Sequence, residues 1–229
     1  NMYGAFHFWQ AVEKENAKIR EYNEKVEAGE EEGEIKNEVK CIIGCELNVC
    51  EDHTSKSRQD NGAQQVLIAL NETGYHNLCR ISSVGFVDGF YYVPRVSKPV
   101  IEQNKEGLIA TTGSIYGEIP NLILNVGEKQ AEEAFLWWKE TFGENFYAEL
   151  NRHGLPEEDH VNAVLLKFCK KHGVKYFAAN NNYYVKQEQS KAHDILLCIK
   201  DNEKVNTPIG NYTAGIVKSS KPVYGIYLV

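Results

Sequence analysis

Apolar positions along the chain switch between a period of about 3.6 and short continuous runs, and that switching predicts an α/β fold. The opening stretch, "MYGAFHFWQAVEKENAKIREYNEKVEAG", is apolar on one face at first and almost wholly charged later, so it predicts a helix that leaves the body near residue 15. From Glu27 to Glu38, "EAGEEEGEIKNE" is acidic and broken by Gly, the pattern of a solvated surface insertion; its outer bounds fall at about residues 20 to 38. "VKCIIGCELNVC" reads as a strand with Glu46 at or near its end, and "DHTSKSRQDNGA" as a polar loop. In "AQQVLIALNETGYHNLCRISSVGF", Val66, Leu67, Leu70, Tyr75, Leu78 and Ile81 recur at helical spacing and predict one helix or a broken pair.

The second half is more regular. "EGLIATTGS" predicts a short strand closed by small polar residues, and "GEKQAEEAFLWWKETFG" an amphipathic helix with Ala131, Ala134, Phe135 and Trp138 inward and Gly143 as its stop. "NFYAELNRHG" then predicts a strand, "EEDHVNAVLLKFCKKHG" a helix, "VKYFAANN" a buried parallel strand and "QSKAHDILLCIK" a last helix. Strands alternating with helices imply βα units and a mainly parallel sheet, yet about four strands are too few for a closed barrel.

Composition narrows the function classes. A hydrophobic content of 42% over 229 residues supports a proper core. The net charge of −7 argues against a free-standing nucleic-acid binder. The cysteines, at 41, 45, 50, 79, 169 and 198, form no CxxC pair and sit mostly in apolar runs, as reduced core thiols of a cytoplasmic protein do. No apolar run approaches the ~20 residues that span a bilayer, no secretory signal is visible, and no partnership with a membrane is expected. Neither a P-loop nor a strand-linked GxGxxG occurs, so nucleotide cradling is not expected. The chain opens on Asn1, which is not an initiator residue, and reads as part of something longer.

The blocks "NMYGAFHFWQAV", "IIGCELNV", "LIALNETGYHNLCRISSVGF", "YYVPRV", "GLIATTGSIYGEIP", "FYAELNRHGLPEEDHVNAVLLKFCKKHGVKYFAANNNYY" and "AHDILLCIK" follow one another in an order and spacing that resembles the N-terminal PHP (polymerase and histidinol phosphatase) domain of bacterial DNA polymerase III alpha subunits. The resemblance covers roughly residues 1 to 210, and the tail 211–229, "NYTAGIVKSSKPVYGIYLV", departs from the family pattern. It implies a distorted, TIM-like β/α barrel, incomplete here because the first strands, with their "HxH" and "TDHG" motifs, precede the opening block in relatives. Intact PHP sites hold zinc or manganese that activates water to hydrolyse phosphoesters. In the family the polymerase's magnesium-binding carboxylates lie beyond this segment.

The resemblance makes Glu46 a family metal-ligand position. It aligns Asn181 with a ligating Asp, Tyr183 with a ligating His, and Ser114 with a position that often carries Cys. A neutral amide, a phenol with a pKa near 10 and a hydroxyl are poor ligands for a catalytic divalent cation, so no cofactor is expected for this segment. The implied role is structural, or docking for a proofreading exonuclease, with the rest of the alpha subunit as partner and DNA reached through the parent polymerase. The alternative is a metal-dependent phosphoesterase or 3′–5′ exonuclease. Arg95 and Arg152 are candidates for phosphate contact, His153 reads as a loop residue, and His193 reads as capping or packing a helix start. Tyr91, Tyr92, Tyr183 and Tyr184 read as strand-end packing rather than base stacking.

Overall fold

A computed structural model describes residues 2–57, 59–180, 183, 184, 186–202, 204 and 205. Its sheet has six strands in the order β3-β1-β2-β4-β5-β6: β1 (Gly44–Cys50), β2 (Ala63–Ala69), β3 (Arg95–Ser97), β4 (Leu108–Thr111), β5 (Phe146–Asn151) and β6 (Lys175–Ala179). β1–β3, β4–β5 and β5–β6 pair in parallel, whereas β2 runs antiparallel to both β1 and β4. The architecture is therefore α/β with a mixed, open sheet, and the barrel expected from the resemblance is not closed among the described residues.

Among the described residues seven α-helices accompany it: α1 (Ala5–Glu27), α2 (Glu72–Val87), α3 (Lys98–Gln103), α4 (Glu118–Asn125), α5 (Glu128–Phe142), α6 (Pro156–His172) and α7 (Ser190–Asp201). One sheet face carries Cys45, Leu47, Leu67, Ala110, Phe146 and Ala148, which join Leu78, Ile81, Phe135, Trp138, Leu165 and Phe168 from the helices in a single core. The helix α5 matches its periodicity, with Ala131, Ala134, Phe135 and Trp138 all buried and Gly143 ending it at φ 59°. Acidic Glu157, Glu158 and Asp159 open α6, and Lys170, Lys171 and His172 close it, so both ends complement the helix dipole.

Several elements differ from the sequence pattern. "AQQVLIA" is β2 rather than helix: Val66 and Leu67 satisfy helical and strand templates alike, and flanking by β1 and β4 decides for the strand. Asn71 then separates strand from helix, its side-chain oxygen accepting the Gly74 N–H at 3.0 Å as the cap of α2. A Cβ at Gly74 would stand 1.8 Å from the Gly107 carbonyl oxygen, so the start of α2 lies against the β4 approach only because position 74 has no side chain. β6 is parallel as expected but stands at the sheet edge among the described residues; Tyr176 is 57% exposed where burial was expected. Glu46 is the third residue of β1 rather than its end.

The first turns of α1 also stand further out than their apolar face suggests. Phe6, Phe8 and Trp9 are about half exposed, and Val12 and Asn16 are the buried residues of this helix. The helix continues through residues 20–27, and the acidic loop beyond folds back along it. Asn16 and Asn23 each grip one backbone unit of that loop: their amide groups donate to the carbonyls of Val39 and Lys36 at 2.9 and 2.8 Å, and accept the same residues' N–H groups at 2.8 and 2.9 Å. The acidic segment is thus exposed yet pinned, with the Lys36 ammonium over the Tyr22 ring at 3.6 Å.

All six cysteines are unbridged; Cys45, Cys50, Cys169 and Cys198 are buried. Burial pushes the Cys169 thiol up to about 11, as befits an inert core group. Among the described residues no helix is long and apolar enough to cross a membrane.

Candidate functional site: the polar face of the sheet

Side chains alternate between sheet faces, and directly paired residues share one. Glu46 pairs with Val66, Thr111 with Tyr147 and Glu149 with Phe177, so the face opposite the core carries Glu46, Thr111, Glu149 and Asn151. Thr111 and Glu149 are buried, and the Thr111 hydroxyl donates to the Glu149 carboxylate at 2.5 Å. The Glu149 N–H in turn donates to the Thr112 hydroxyl at 2.9 Å. Asn151 is 5% exposed; its amide NH2 donates to the Gly113 carbonyl at 3.4 Å, while its Oδ1 is buried without a hydrogen-bond partner. An orphaned acceptor of this kind costs about 1–3 kcal/mol, and it marks this face as imperfectly satisfied.

The two carboxylates feel one another. Burial holds the Glu149 carboxyl above the ordinary range, opposed by hydrogen bonds from Thr111 and Asn151 and reinforced by the charge of Glu46. Burial also raises Glu46, although that side chain keeps an exposed surface. The folded protein therefore holds a proton at Glu149 more tightly than the unfolded chain does. This favours folding fully below the unfolded carboxylate value of about 4.3, and the benefit is lost as pH rises through the raised folded value. Glu149→Gln preserves a neutral hydrogen-bonding group, so it is expected to flatten the loss of stability over that interval, read as unfolding midpoint against pH. An unchanged slope would show that Glu149 ionises in place at no cost.

The positions singled out in the sequence scatter in role. Ser114, in the turn after β4, is buried; its hydroxyl donates to the Gln64 side-chain oxygen at 3.4 Å and accepts the Tyr116 N–H at 3.3 Å. Tyr183 stacks on His193 of α7 with ring centroids 5.1 Å apart, and Tyr184 leans on the same ring at 5.7 Å. Desolvation, followed by the Glu46 charge, raises the Tyr183 phenol, although the residue is 60% exposed. Asn181 lies outside the described residues, as does the tail 211–229.

The basic candidates turn out differently from one another. Arg95 is 1% exposed, and its guanidinium donates to the carbonyls of Ser55, Asp60, Ser57, Gly89 and His53 at 2.5 to 3.5 Å, leaving no open edge toward a phosphate. Arg152 has an exposed side chain, and its backbone N–H donates to the Asn180 side chain at 3.1 Å. His153 is more enclosed than a loop residue need be: its Nδ1 lies 2.5 Å from the buried Glu158 carboxylate, whose other oxygen accepts the His153 N–H at 2.6 Å.

Among the described residues no group of three His, Cys, Asp or Glu side chains stands close enough to hold a metal ion. The polar face supplies two carboxylates, an engaged hydroxyl and a phenol stacked on an imidazole. These described residues do not fit the set of several converging carboxylate, imidazole or thiolate ligands that a hydrolytic zinc or manganese cluster requires. Sequence reading missed Glu149, Asn151, Thr111 and Gln64; the signal that points to them is polar residues of one parity, Tyr147, Glu149 and Asn151, within a strand flanked by strands on both sides.

A family profile described as "PHP domain" matches residues 1–153. Among curated proteins, the "DNA polymerase III subunit alpha" of Borreliella burgdorferi is 38% identical over 190 residues, covering 81% of this chain and 16% of the relative. Its counterpart in Treponema pallidum is 33% identical over 213 residues, covering 91% of this chain and 16% of the relative. That of Thermus aquaticus is 35% identical over 175 residues, covering 74% and 14%. The chain thus spans about 16% of the length of the first two relatives.

Proposed function

The chain belongs to the PHP domain family, and from that premise we propose that it is the PHP segment of a replicative DNA polymerase III alpha subunit, performing no hydrolysis and serving as a structural and docking unit. The observation that carries this reading is the donor set of the polar face, where Glu46 and Glu149 gain no third acidic, imidazole or thiolate partner among the described residues. A site without that partner neither holds a divalent cation firmly nor activates a water. Polymerisation, with its magnesium, then resides in the remainder of the alpha subunit, through which DNA is also engaged, in the cytoplasm. The docking partner is a proofreading exonuclease subunit.

A second reading, a metal-dependent phosphoesterase or 3′–5′ exonuclease, is favoured by one observation, the unpartnered Asn151 oxygen on the same face. The two readings separate in a capture experiment with the 229-residue chain. The docking reading expects immobilised chain to retain a purified proofreading exonuclease while releasing no product from a model phosphodiester. Failure of capture, with hydrolysis that disappears in Glu46→Ala, would replace it with the enzymatic reading.

A further inference from the structure

No further inference is drawn: the strongest candidate, the apolar groove of about 640 Å³ between the first turns of α1 and the β2–α2 junction, lined by Phe6, Trp9, Ile43, Leu70 and Tyr75, carries none because nothing in the structure shows what covers it.

Discussion

Arg95→Ala is expected to lower the unfolding free energy by about 3–6 kcal/mol, since hydrogen bonds to a charged donor contribute about 1.5–3 kcal/mol each and at least two of these bonds would go unreplaced. The guanidinium is the hub of the loop after β1: it gathers carbonyls from His53, Ser55, Ser57 and Asp60 and ties them to Gly89 at the end of α2. Truncation leaves these acceptors to find water in a space that is now 1% exposed. A compact ammonium has neither the reach nor the planar fork to serve five carbonyls, so Arg95→Lys should recover little of the loss. Chemical denaturation followed by circular dichroism measures both variants. A loss under about 1 kcal/mol for Arg95→Ala would mean that the loop is held by something else.

Phe135→Ala is expected to cost about 3–5 kcal/mol, the usual range for deleting a fully buried aromatic ring. Phe135 is 0% exposed and lies where α5, α6 and β5 meet, with ring centroids 5.1 Å from Phe146, 5.5 Å from Phe168 and 6.0 Å from His172. The same helix pair is fastened at its edge by the His172 Nε2 and Lys171 ammonium against Glu132, at 2.6 and 2.8 Å. Those contacts hold α5 and α6 in place, so the cavity should collapse only partly. Phe135→Leu, which returns most of the volume, should recover more than half of the loss in the same denaturation assay. Equal losses for Ala and Leu would point to ring geometry rather than volume as the stabilising feature.

How much of this was legible in the sequence depends on whether an element's neighbours are needed to define it. α5 and α6 declare themselves, because their period, acidic first turns and terminal Gly143 and Gly173 are local signals. β2 does not: Val66, Leu67 and Leu70 fit a helix face as well as a strand, and only pairing with β1 and β4 resolves it. β6 has the composition of a buried strand, but among the described residues it pairs only with β5, and Tyr176 is left open. β3, α3 and α4 are short, at 3, 6 and 8 residues, and carry too little period to be read.

The candidate site follows the same rule. Glu46 and Tyr183 were reached through the family resemblance, and the structure brings them near one another. Glu149 was invisible because a Glu at an alternating strand position looks like a solvent-facing residue; here it is buried, with the Thr111 hydroxyl donating to its carboxylate. Arg95 illustrates the converse, for an arginine after a proline gives no local sign that loop carbonyls will surround it.

Elemental analysis of the purified 229-residue chain decides whether the polar face holds a metal. Zinc and manganese are expected well below stoichiometric after dialysis, in the unaltered chain and in Glu46→Ala alike, because Glu46 and Glu149 have no third acidic, imidazole or thiolate partner among the described residues. Stoichiometric metal in the unaltered chain, lost in Glu46→Ala, would contradict this expectation.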